Sequence, residues 1–245
     1  MSTNNIETPV DIKPSIDIKS SPSFKNNSVR VLRDYQRQFS TREFKARGYL
    51  LKRCESCLLA ETRCVCGLVP QLDSTLGVCM LMYHAEYYKP SNTGQLICDV
   101  IKDNFAYRWQ RTELESELEQ LLTSKLWYPI IVFPHDNVEV ERQIQQVPEK
   151  LELGGKRPLL VFLDGTWRQA KKMFVKSPYL AKLPVLQVSH KAKGDYQLRE
   201  AYHDHHLSTV EVAAEIFRQV GELTMAENLT HLFQVFRDNY KEFKR

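Results

Sequence analysis

Three continuous apolar runs, at residues 76–83, 129–133 and 159–163, set the framework of this chain and read as strands buried on both faces. Between them, residues 93–103 place Leu96, Ile97, Val100 and Ile101 on one face of a helix. Residues 113–122 predict an acidic amphipathic helix, and a further helix is expected over 166–174. Short strands follow at 185–188 and 196–199, and helices at 209–220 and 226–243 close the chain. Unbroken apolar strands separated by helices predict an α/β fold whose mostly parallel sheet is covered on both faces. No run approaches the ~20 apolar residues of a membrane-spanning helix, so a membrane partner is not expected.

Residues 1–28 lack this patterning. They are rich in Ser, Asn, Pro and alternating charge, with Phe24 as the lone aromatic, and read as a disordered tail. A basic helical lead-in at 29–50 and a cysteine-rich stretch at 51–70 form a second unit, leaving 71–245 as the main domain. The whole chain is 245 residues, 42% hydrophobic and 26% charged, an ordinary globular composition. It does not open with a basic region followed by an apolar run, so secretion is not expected and the cytoplasm is.

Net charge is only +4, but its location is informative. Arg30, Arg33, Arg37, Arg42, Lys45, Arg47, Lys52 and Arg53 face only Asp34 and Glu43 within the same segment. That segment is either a solvated helical face or a patch for nucleic-acid phosphates, which are gripped by clustered Lys and Arg.

Cys54, Cys57, Cys64 and Cys66 make C-x2-C-x6-C-x-C. Four thiols so close in a chain without a secretion signal point to a metal before disulfides. Four thiolates suit one tetrahedral Zn2+ with a filled shell, hence a structural site, whereas the competing redox reading needs only two of them. Cys79 and Cys98 fall on apolar faces and read as buried small hydrophobes. His203, His205 and His206 crowd one polar segment and read as a solvated loop; His84, beside Glu86, is the better pocket candidate.

Ligands of an α/β sheet gather at the C-terminal ends of its strands. Three segments occupy such places: residues 89–94 with Asn92, Thr93 and Gly94; Phe133-Pro134; and Asp164-Gly165-Thr166-Trp167. Ser208-Thr209-Val210-Glu211 is a capping box, with Leu207 and Val212 placed as a hydrophobic staple, and its free N–H groups suit a carboxylate or phosphate. No dinucleotide fingerprint or phosphate loop is present in the sequence.

Asp164-Gly165-Thr166-Trp167 resembles the D-x-T-W signature of the DTW-domain family. The resemblance extends to Asn92-Thr93-Gly94, Phe133-Pro134, Leu198-Arg199 and the segment from Ser208 to Ala213, and covers the chain from about residue 50 onward. It is nearest to the bacterial tRNA-uridine aminocarboxypropyltransferases, whose members also carry a four-cysteine element. The resemblance implies transfer of the 3-amino-3-carboxypropyl group of S-adenosylmethionine to N3 of a tRNA uridine, at position 47. It also implies a SPOUT-like sheet with a C-terminal knot around the donor. On that reading Asp164 is the catalytic residue, and Asn92, Thr93, Gly94, Pro134, Thr166, Trp167, Leu207, Ser208, Thr209 and Glu211 hold the donor. The eight lead-in cations then contact tRNA. A donor-dependent RNA methyltransferase and a non-catalytic zinc-containing RNA binder are the alternatives. Oligomeric state, the choice of tRNA and the surface for the target uridine are not legible.

Overall fold

A computed structural model of the chain describes residues 27–41, 50–68, 70–134, 138–187 and 208–241. Helices α1 (Ser28–Arg37), α2 (Gly94–Val100), α3 (Ser116–Leu122), α4 (Trp167–Lys176), α5 (Thr209–Gln219) and α6 (Leu223–Lys241) surround six strands. The strands are β1 (Gly77–Met82), β2 (Asn104–Arg108), β3 (Trp127–Val132), β4 (Gln143–Ile144), β5 (Arg157–Asp164) and β6 (Val185–Leu186). They form one sheet in the order β2-β1-β5-β3-β6-β4, every described pairing parallel. The expected α/β class and parallel sheet are thus present. The implied knot turns on the path of residues 188–207, which lie outside the described residues, as do the strand expected at 196–199 and the histidines at 203–206.

The central strands are apolar throughout because both sides of the sheet are covered. Every residue of β1 is buried, and β5 is buried from Pro158 onward. Val78, Met80, Leu160 and Phe162 point to a core shared with α1, α2, α5 and α6. Cys79, Leu81, Leu159, Val161 and Leu163 point to the opposite core, with α3 and α4. Cys79 and Cys98 are both buried, as their apolar faces predict, and burial pushes the Cys98 thiol up to about 12. Gly77 is required where it is: a Cβ there would lie 2.7 Å from the Trp127 ring.

Several boundaries differ from expectation. α2 stops at Val100, because Ile101 turns extended and bridges Leu72. The chain then enters β2, a half-buried edge strand whose mixed residues carry too little apolar signal to announce it. The tail boundary also moves. Asn27 is buried and caps α1, accepting from the N–H groups of Val29 and Arg30. Its amide donates to Gln95 O and Asp99 Oδ1, so Asn27 and Ser28 belong to the fold.

Neighbouring strands β1 and β5 send their following helices to opposite faces, α2 to one and α4 to the other. The chain therefore parts above their C-terminal ends, the crevice where open parallel sheets hold ligands.

Candidate active site and metal centre

Asp164 ends β5 in that crevice and is only 4% exposed. Both its carboxylate oxygens are held. Asn92 Nδ2 donates to Oδ2 over 2.5 Å, and Thr209 Oγ1 donates to Oδ1 over 3.0 Å. Asn92 is itself fixed by accepting the Gln95 N–H at Oδ1. Gly94 leaves the room: a Cβ there would stand 2.6 Å from Met80 Cε and 3.0 Å from Asp164 Oδ2. Residues 92–94, Asp164 and Thr209, which lie far apart in the sequence, thus meet at one carboxylate, whereas Phe133-Pro134 does not reach it.

Burial pushes the Asp164 carboxyl up to about 6, and Glu86 adds to the shift, while the two hydrogen bonds and Lys89 oppose it. Lys89 Nζ is paired with Glu86 at 2.6 Å. His84 is exposed on the turn that follows β1.

The remaining site candidates fall into distinct places. Thr166 caps α4 reciprocally with Gln169, so its hydroxyl serves the helix. Trp167 is 45% exposed and stacks on Phe133 at 5.4 Å, which stacks on Phe174 at 4.5 Å. Pro134 follows Phe133, half-buried at the end of β3. Thr93 occupies the cap position of α2 without a side-chain bond to it. Ser208 caps α5, and Glu211 accepts from both its N–H and its hydroxyl, the expected capping box. Leu207, and with it the staple to Val212, lies outside the described residues.

The sulfur atoms of Cys54, Cys57, Cys64 and Cys66 all lie within 4.8 Å of one another, and none is in a disulfide. Their closest separations are 3.5, 3.8 and 3.9 Å. Sulfurs at 2.3 Å from a tetrahedral Zn2+ would be about 3.8 Å apart, so the four thiols fit that ion. The turn is tightened by Leu58 and Gly67, both at positive φ, and by the Leu58 N–H donating to Cys54 O. A hydrogen bond from Cys66 pulls the Cys57 thiol down, whereas burial pushes Cys64 up. Four thiolates this close repel one another, and a cation among them offsets that repulsion.

The lead-in is where the structure corrects the sequence. Arg30 and Arg33 are 2% and 1% exposed and do not face an RNA. Arg30 pairs with Asp99 at 2.6 Å. Arg33 donates to the carbonyls of Glu55 and Ser56, clamping the first cysteine turn, and burial lowers its guanidinium to about 10. A helix that is basic on its buried side looks, in sequence, identical to one that is basic outside. The two charges also attract the thiolates of Cys66 and Cys57, and a Zn2+ held by four thiolates would carry a formal −2. Arg53 donates to Leu58 O within the same element. Arg37 is half exposed and pairs with Asp34, and Lys52 is exposed and pairs with Glu61. Arg42, Lys45 and Arg47 lie outside the described residues.

Gln95, which is not among the sequence's site candidates, links the two centres. Its buried amide donates to Cys57 O at 3.4 Å and to Asn92 O at 3.1 Å. Its only sequence signal is that, apart from Asp99, it is the one polar side chain on an apolar helix.

The DTW domain family matches residues 51–241. A Drosophila melanogaster protein, tRNA-uridine aminocarboxypropyltransferase 2, is 25% identical over 174 residues, which are 66% of this chain and 64% of that protein. The chain thus spans somewhat under two thirds of that relative's length. No solved structure matches.

Proposed function

The chain belongs to the DTW-domain family, and on that premise we propose that it transfers the 3-amino-3-carboxypropyl group of S-adenosylmethionine to N3 of a tRNA uridine, at position 47. What carries the reading is the convergence of the family's separate segments on one carboxylate, with Asn92 and Thr209 each donating to Asp164. The similarity to a relative with this activity in its name supports it.

In the reaction, uridine N3 attacks the Cγ methylene next to the sulfonium. The N3–Cγ bond forms as the Cγ–S bond breaks, and the electron pair neutralises sulfur to give 5′-methylthioadenosine. The N3 proton goes to base or water. A sulfonium needs no acid to leave, so the demand on the protein is alignment. Asp164 is suited to that role, since two hydrogen bonds fix its plane in the crevice before any cation arrives. The donor's ammonium group is the natural partner for it. Thr209 and the free N–H groups at the start of α5 lie beside it for the donor's carboxylate.

The zinc element and lead-in (29–70) and the catalytic unit (71–245) differ in role while sharing a core: Val29, Leu32, Cys57, Leu59 and Val65 pack with β1, α2 and α5. Zn2+ held by the four cysteines would be structural, and the lead-in's solvent-facing Arg37 and Lys52 would assist RNA contact.

The test is a product assay on tRNA lacking the modification. Release of 5′-methylthioadenosine supports the transfer. Release of S-adenosylhomocysteine would replace it with methylation, and no donor consumption would leave an RNA binder.

A further inference from the structure

Helix α4 begins three residues after Asp164 and carries no acidic residue. Its turns divide cleanly. Ala170 and Met173 are buried against the sheet, while Trp167, Arg168, Lys171, Lys172, Val175 and Lys176 are exposed on the other half. Several surface cations elsewhere are neutralised locally, as in Arg37–Asp34, Lys89–Glu86 and Lys102–Asp73. Among the described residues, none of the four cations of α4 is paired with a carboxylate.

Aromatic stacks lie on either side of this helix. On one side Tyr83 and Trp109, following β1 and β2, stack at 5.4 Å and 17°. Lys172 Nζ sits 5.7 and 5.8 Å from their ring centres. Trp109 is pinned by donating its indole N–H to Ser177 Oγ at 2.8 Å. Tyr83 is pinned by its backbone, whose N–H donates to Asp164 O at 2.9 Å. On the other side Phe133 and Phe174 stack, with Arg142 over the Phe174 ring. Phe174 borders a groove of about 480 Å3 lined also by Arg111, Lys176 and Glu139, the last paired with Arg142 at 3.1 Å. Rigid aromatic faces beside the four cations of α4, on the helix that follows Asp164, match what an unpaired stretch of nucleic acid requires: stacking for bases and cations for the backbone.

We propose that α4 and its flanking stacks, more than α1, form the RNA-gripping face, with Arg168, Lys171, Lys172 and Lys176 on backbone phosphates and the Tyr83–Trp109 pair carrying an unstacked base next to the target uridine. This rests on the tRNA reading above and supplies the surface which that reading lacks.

The experiment measures binding of a fluorescently labelled, unmodified tRNA transcript across a salt series, with donor binding followed separately by calorimetry. The triple variant Arg168→Gln/Lys171→Gln/Lys172→Gln, whose three sites are solvent-exposed, should flatten the log–log salt slope by about 2, at about 0.7–0.9 per lost phosphate contact. Tyr83→Leu should weaken tRNA binding about 5- to 150-fold, the range for losing one stacked base. Both should bind donor as wild type does, and Lys125→Gln, just before β3 at the N-terminal end of the sheet, should change neither quantity. Wild-type affinity and slope in the triple variant would overturn the proposal. If the wild type modifies tRNA while these variants bind it unchanged, this surface alone is wrong. If the wild type binds no tRNA but binds acidic vesicles or an acidic protein, this surface and the tRNA reading fall together.

Discussion

The Thr209 hydroxyl donates to Oδ1 of Asp164 at 3.0 Å, joining the first turn of α5 to the last residue of β5 across 45 residues of chain. A threonine at a helix start has a structural use as well, so its replacement must be read in two ways. Thr209→Val removes the hydroxyl and keeps the shape, leaving one carboxylate oxygen without its donor. Donor affinity should fall about 10-fold by calorimetry, corresponding to about 1.4 kcal/mol, on protein whose unfolding curve is checked in parallel. Unchanged affinity in folded protein would remove Thr209 from the donor site.

Asp164 gives a pH signature of defined sign. Its carboxyl is raised from 3.8 to about 6, so the folded chain holds a proton that the unfolded chain has already released. Stability should therefore decline as pH rises from about 4 to about 6 and then level off, with a cost of about 3 kcal/mol above that window. Asp164→Asn should lack this dependence in unfolding measured across the same range. A cationic donor favours the carboxylate, so its affinity should drop about tenfold per pH unit below 6 in wild type and not in the variant. Turnover separates two roles: rescue of Asp164→Asn by raised pH with donor affinity intact would make Asp164 the base, whereas loss of affinity with little rescue makes it the positioning group.

The cysteine element should carry one zinc per chain by metal analysis. Cys64→Ser should lose it and lower the melting temperature, as should a strong chelator on the wild type. A zinc-free protein with all four thiols reactive would refute the metal centre.

The first described residue has its own test. Asn27→Ala removes a helix cap and the amide that donates to Asp99, which should cost about 2 kcal/mol in denaturant unfolding. Removing residues 1–26 while keeping Asn27 should leave the unfolding midpoint in place.

Much of the frame was legible because its signal is one-dimensional. Runs such as 159–163 are apolar without interruption only when both faces of a strand are covered, and the Ser208–Glu211 box announces its helix locally. The DTW signature identified Asp164, and the cysteine spacing its cluster. What was hidden depends on facing. Arg30 and Arg33 read as surface charge because sequence does not record that Asp99 and the Glu55 and Ser56 carbonyls wait beneath them. The Tyr83–Trp109 pair was invisible because β2 was unrecognised, so nothing placed residue 109 beside residue 83.

Gln95 makes the cysteine element and the crevice neighbours in a mechanical sense. From Cys57 O the path runs through one amide to Asn92, and from Asn92 directly to the carboxylate. Disorder at the thiols, from oxidation or loss of the ion, has two side chains, Gln95 and Asn92, to cross before it reaches Asp164. On the proposed function, a centre that touches no reactant would therefore be felt in donor affinity as well as in stability.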